Sequence, residues 1–308
     1  MTALLWLGLT ACLVLVLMLL AGLGMTLWAY RAATHPHHGV FDAPRLGDAL
    51  PREPVSLTSR DGTRLAAWFI PGTRRQAVLL LHGYTACKDD MLSHAAFLHE
   101  AGYSLFLLDL RACGESAGSV VTLGGHERDD VRAALGYLQS RQDIDADGLG
   151  VLGLSLGAAL ALLAACDSPA VRAVVAESAF RSVRSAIRQN FRRFTHLPSF
   201  PWAELTTRLA EWRQHVSARL VAPELEVGKL RRCAVLLIHA ADDRVISIRD
   251  SEAIFARAGG PKAFWRIPSA PHALAYNCLR EEYAARVVAF FDRWLAGGET
   301  DDTERAGS

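Results

Sequence analysis

The sequence predicts an α/β chain. Its core is a mostly parallel, doubly wound sheet with helices on both faces, preceded by one apolar helix and interrupted by a short helical insert. Three observations carry this. From Val55 onward, short apolar runs alternate with helical patterns. The first thirty residues hold a single long uncharged stretch, and about fifty residues between 180 and 232 break the alternation with no strand pattern. With 308 residues and 51% hydrophobic content the chain has material for one large core. The net charge of +1 has no basic excess, which excludes nucleic acid as the expected main partner.

The N-terminal segment comes first. From Ala3 to Ala29 there is no charged residue. Twenty-seven helical residues rise roughly 40 Å, more than the roughly 30 Å of a hydrocarbon core. Trp6 lies near one end, and Trp28 and Tyr30 lie at the other, where aromatic belts form. A cleaved signal peptide would need basic residues before the run and a small-residue cleavage site after it. Neither is present, and the run continues past the lipoprotein-like Leu9-Thr10-Ala11-Cys12. We therefore expect a single-pass transmembrane anchor over residues 1–30. Arg31, Arg45, Arg52, Arg60 and Arg64 all follow it, so the positive-inside rule places the rest in the cytoplasm.

Residues 31–54 are rich in Pro, Gly and His and read as a linker. His35, His37 and His38 fit a solvated linker better than a metal site. The six cysteines are scattered, and five lie beyond the anchor, an odd number without C-x-x-C spacing. Free thiols in a reducing compartment are expected, with no metal and no organic cofactor.

The main domain is expected over 55–297. VSLTS and LAAWFI flank Arg60-Asp61-Gly62-Thr63, a hairpin with Asp-Gly at its turn. Strand-like runs follow at 77–83, 103–110, 149–155, 171–178, 234–240 and 263–268. Near-continuous apolar runs of this length suit strands covered on both faces. Helical patterns occupy 90–102, 128–141, 251–259 and 281–297, and residues 298–308 read as a frayed tail.

One junction carries chemistry. In Gly153-Leu154-Ser155-Leu156-Gly157 a serine stands between two glycines where a buried strand pattern meets an alanine-rich helix. A sharp strand-to-helix turn there lifts the hydroxyl clear of the fold, with helix N–H dipoles beneath it. A serine nucleophile needs a base, an acid that orients the base, and donors for the oxyanion. Asp242-Asp243 follows the run 234–240, and His272 follows the run 263–268 as the only histidine after the last strand. His94 and His99 fall on a predicted helix, and His196 and His215 in the insert. The order Ser, acid, His along the chain is the one found in the fold that carries such a turn.

With these residues the chain resembles the α/β-hydrolase superfamily, in its serine esterase, lipase and aminopeptidase-like branch, from Val55 to Leu295. His82-Gly83-Tyr84, Asp109-Leu110-Arg111 through Gly114-Glu115-Ser116, and Leu123 through Asp130 add to the likeness. The resemblance implies an α/β-hydrolase fold with an oxyanion hole formed by the N–H groups of Tyr84 and Leu156. It aligns Asp243 as the acid, with Asp242 as the nearer alternative and Glu177 after the sixth run as a second. The chain departs from the family pattern at Ala240, where a glycine is usual, and at Ala112-Cys113, where Gly-His is usual.

The expected activity is hydrolysis of a carboxylic ester or thioester through an acyl-enzyme, on an acyl or lipid-like substrate. Residues 181–222 hold eight arginines against two glutamates, and Arg181, Arg184, Arg188 and Arg192 form one helical stripe. That stripe reads either as a face for anionic headgroups or as a solvated helix surface. A serine peptidase or aminopeptidase and a non-catalytic tethered binding protein are the alternatives. A peptidase that captures a free amine needs acids, and residues 181–222 of the insert offer only Glu204 and Glu211.

Overall fold

The computed structural model describes residues 2–35, 50–196 and 198–295. The expected tail over 298–308, and His37 and His38 of the linker, lie outside the described residues. Helix α1 (Thr2–Thr34) opens the chain. It continues four residues beyond the expected anchor because Arg31, Ala32 and Ala33 favour helix and the first breaker is Pro36. Residues 31–34 of the range expected as a linker are therefore helical, and its last two residues, 53 and 54, belong to β1.

Strands β1 (Glu53–Thr58) and β2 (Arg64–Ile70) pair antiparallel around the Asp61-Gly62 turn. The chain then alternates through β3 (Ala77–Leu81), α2 (Leu92–Glu100), β4 (Ser104–Leu108), α3 (Glu127–Ser140), β5 (Leu149–Leu154), α4 (Leu156–Asp167) and β6 (Val171–Glu177). The insert supplies α5 (Val183–Thr195), α6 (Trp202–Gln214) and the short α7 (Pro223–Glu226). The chain closes with β7 (Ala234–Ala240), α8 (Ile248–Arg257), β8 (Lys262–Ile267), α9 (Ala275–Cys278) and α10 (Arg280–Leu295).

The eight strands form one sheet in the order β1-β2-β4-β3-β5-β6-β7-β8. The pairs from β4 through β8 are all parallel, and β2 joins β4 antiparallel. Every residue of β3, β4, β5 and β7 is buried, which is why their sequences are apolar runs rather than alternations. One face packs on α3, α4 and α8, the other on α2 and α10. The direction of winding reverses between β3 and β5, with Leu81 and Gly153 paired in register. Open α/β sheets place their sites outside the strand ends at such a switch point.

Candidate active site

The Gly153–Gly157 turn sits at this switch point. Ser155 has φ 53° and ψ −109°, a conformation that costs a non-glycine residue about 1–3 kcal/mol and is typical of functional sites. The surrounding structure enforces it. The Ser155 N–H donates to Glu177 O at 2.9 Å at the end of β6, and Ser155 O accepts from Ala159 N at 3.1 Å in α4. The two glycines are required by close approach. A Cβ on Gly153 would lie 2.2 Å from Gly157 O, and one on Gly157 would lie 2.2 Å from Leu81 O.

Three side chains converge from three strand ends. His272 Nε2 is 2.8 Å from Ser155 Oγ, and His272 Nδ1 is 2.7 Å from Asp243 Oδ2. The Asp243 side chain is fully buried, and its other oxygen accepts the N–H groups of Val245 (2.8 Å) and Ile246 (3.0 Å). Burial alone would raise this carboxyl. The bonds from His239 and His272 outweigh it and hold the group well below the usual carboxylate range.

The alternatives for the acid are placed elsewhere. Asp242 points outward and caps the loop after β8, accepting Ser269 Oγ–H (2.5 Å) and Ala270 N–H (3.1 Å). Glu177 is buried at the end of β6, and its Oε1 accepts Ala275 N–H at 2.9 Å. With Ser178 Oγ, which accepts Ala273 N–H at 3.3 Å, it anchors the segment that carries His272.

Sequence reasoning missed His239. This fully buried ring, the penultimate residue of β7, lies with Nε2 3.3 Å from Asp243 Oδ2 and 3.0 Å from Ile246 O. Its Nδ1 is 2.7 Å from Ser251 Oγ. Nε2–H therefore faces the carboxylate and the carbonyl, while Nδ1 accepts the Ser251 hydroxyl. The available signal was its position four residues before Asp243.

On the other side of Ser155 lies the loop after β3. A Cβ on Gly83 would meet Ser155 Cβ at 3.6 Å, so the Gly83-Tyr84 backbone runs directly beside the serine. His82 fixes that loop. Its Nε2 accepts Leu110 N–H at 3.1 Å, and its Nδ1–H donates to Gly83 O at 2.7 Å. Burial lowers the His82 pKa and so favours the neutral ring these bonds require. Leu156 is the first residue of α4, where N–H groups have no partner within the helix.

The other motifs are structural supports. The Asp109 carboxylate receives Lys88 N–H (2.7 Å), Lys88 Nζ (2.7 Å) and Glu115 N–H (2.9 Å). Arg111 bridges Asp61 and Asp130 at 2.7 and 2.6 Å, tying the hairpin to α3. Ala112 adopts φ 56°, the left-handed region that explains why glycine is usual there. Ala240, where a glycine is usual, is the buried last residue of β7, so the turn begins only after it.

Over Ser155 opens a cavity of about 250 Å³ with an almost wholly apolar lining. Phe180, Val183, Ile187 and Phe191 line it from the insert, and Ala29, Tyr30 and Ala33 from α1. No acidic side chain lines it among the described residues. The arginine stripe is partly committed within the protein. Arg184 pairs with Glu204 at 3.0 Å and Glu211 at 2.9 Å, whereas Arg188 and Arg192 are exposed.

Sheet order, winding and the serine turn define an α/β-hydrolase. Residues 61–275 match the family model described as X-Pro dipeptidyl-peptidase (S15 family). The chain belongs to that family. It is 30% identical to protein YfhR of Salmonella typhimurium over 242 residues, 73% of this chain and 76% of the relative. It is 27% identical to protein YqkD of Bacillus subtilis, over 72% of this chain and 73% of the relative. In fold it is similar to the Pyrococcus furiosus esterase Pf2001, with TM-score 0.72 and 22% identity over 85% of this chain and 98% of that one. A Pyrococcus horikoshii acylaminoacyl peptidase also shares the fold, with TM-score 0.62 and 16% identity over 82% of this chain and 43% of that one.

Proposed function

We propose that the protein is a membrane-anchored serine hydrolase that cleaves carboxylic esters or thioesters of acyl substrates. The observation that carries this is the unbroken hydrogen-bonded line Ser155–His272–Asp243 opening into an apolar cavity. His272 Nε2 takes the Ser155 proton as Oγ attacks the acyl carbonyl. Asp243 holds the imidazole with Nδ1–H toward itself and stabilises the imidazolium. The N–H groups of Tyr84 and Leu156 receive the oxyanion. His272 then protonates the departing alcohol or thiol, leaving an acyl group on Ser155. Water attacks that ester as His272 takes its proton, and His272 returns the proton to Ser155 Oγ as the carboxylic acid leaves.

The family and the acylaminoacyl peptidase neighbour favour a second reading, cleavage of a peptide bond. Capture of a charged N-terminus in this cavity would bury an ammonium with no counter-charge in its lining, which is costly. Ester chemistry fits the lining better.

We read α1 as an uncleaved anchor for a related reason. Thr26, Ala29, Tyr30 and Thr34 are buried against the domain, so cleavage would strip one side of the cavity. The arginines after the helix favour a cytoplasmic domain, and the exposed Arg188 and Arg192 favour contact with anionic headgroups.

The test uses the full chain in detergent, with a fluorophosphonate probe and a p-nitrophenyl ester series. Labelling and turnover are expected in the wild type and absent in Ser155→Ala. Labelling that survives in Ser155→Ala would overturn the assignment. X-Pro amides cleaved faster than every ester would move it to the peptidase reading.

A further inference from the structure

α1 changes character along its length. From Leu4 to Ala21 every side chain is exposed. From Thr26 a buried stripe appears at Thr26, Ala29, Tyr30 and Thr34, the spacing of one helix face. That face packs on α6. A Cβ on Gly22 would lie 3.1 Å from the Trp202 ring, and Ala29 clusters with Phe191 and Ala203. The carbonyl end of α1 is bonded into the domain as well. Tyr84 Oη donates to Ala33 O at 3.0 Å, and Val121 N–H donates to Thr34 O at 2.8 Å. These are carbonyls a helix end leaves without internal partners. Tyr84 directly follows Gly83, whose backbone lies beside Ser155, and lines the same cavity as the serine.

We infer that the last two turns of α1 are a wall of the acyl pocket. The anchor then sets which acyl chain the site accepts, as well as where the enzyme resides. This rests on the ester-hydrolase reading above. Ala29 and Ala33 line the same cavity as Ser155, together with Phe180 and Ile187 of the insert, and their small side chains leave it open. The exposed stretch Leu4–Ala21 rises about 27 Å, close to the roughly 30 Å of a hydrocarbon core. Trp28 is exposed on α1 beyond that stretch, and Phe200 and Trp212 are exposed before and near the end of α6, the helix packed on α1. Exposed aromatic side chains of this kind suit the headgroup level. The pocket therefore lies at the membrane surface, and its occupant is one acyl chain of a membrane-resident ester.

Full-length protein in phosphatidylcholine vesicles, labelled with alkyl fluorophosphonates of increasing chain length, tests this. Ala33→Leu fills the wall and should move the preferred chain to a shorter one, cutting long-chain labelling relative to the shortest probe by about tenfold or more. Tyr30→Ala opens it and should move the preference to a longer one. Leu15→Phe, on the lipid-facing stretch, should leave the profile as in wild type. If Ala33→Leu does not fold, the opposite shift in Tyr30→Ala decides. Wild-type profiles in the α1 variants, or uniform loss across all probes, would overturn the wall while leaving the serine-hydrolase reading intact. A wild type labelled by no probe would overturn that reading itself, and the wall with it.

Discussion

The floor and the roof of the site are built by different physics. The floor is made of strand ends, where Ser155, Asp243 and His272 and their neighbours are tied by directional hydrogen bonds. The roof is α5, α6 and the end of α1, held by apolar packing with a few bonds at its edges. Non-directional packing fixes volume, whereas hydrogen bonds fix atoms to within tenths of an ångström. Substitutions in the floor should therefore change turnover across all substrates, and substitutions in the roof should change which substrate is accepted.

The sharpest break of that contrast is Asp243→Asn. The amide cannot stabilise an imidazolium and favours the wrong His272 tautomer, so kcat should fall by about 10⁴-fold at every chain length. The same variant has a stability signature. The depressed Asp243 carboxyl contributes stability that is fully present above its unfolded pKa of about 3.9. That contribution is lost as pH falls toward the lower folded pKa. Melting curves at pH 6, 5, 4 and 3 should show the wild type losing stability more steeply than Asp243→Asn at the acid end. Equal slopes would mean that the carboxylate gains nothing from its two histidines.

His239→Gln is the intermediate case. It removes a ring from beside the carboxylate but touches no reacting atom, so His239 is a positioning residue. We expect kcat to fall about tenfold, with KM and chain-length preference unchanged, since a hydrogen bond to a charged group contributes about 1.5–3 kcal/mol and glutamine restores part of it. A shift in chain-length preference would show floor and roof to be mechanically coupled through β7.

What could be read beforehand follows the same division. The strands were legible because buried parallel strands are written as apolar runs, and the β7 run 234–240 matches its pattern residue for residue. Ser155, Asp243 and His272 were legible because each follows a strand in a fixed order. His239 escaped because it lies inside a strand and reads there as core. The roof escaped because its contacts join residues far apart in sequence, such as Ala29 to Phe191 and Tyr84 to Ala33, with no local pattern to mark them. An anchor and a pocket wall also share one composition, since both call for small and apolar side chains. Only the buried stripe from Thr26 to Thr34 distinguishes them.

The smallest predicted effect tests whether the floor tolerates a departure from its usual residues. Ala112 occupies φ 56°, at a cost of about 1–2 kcal/mol relative to glycine. Its methyl is buried in the core that lies against α3 and α4, where a CH₂-sized group contributes about 0.8 kcal/mol. Alanine also leaves the unfolded chain less freedom, which favours folding by about 0.4–1 kcal/mol. The opposing effects are equal within their ranges, so Ala112→Gly should shift Tm by no more than about 3 °C in a domain of this size. A fall well beyond that would show that the methyl, rather than the backbone, shapes the loop after β4. A rise beyond it would show that strain at Ala112 is retained for activity, and turnover in the same variant should then fall.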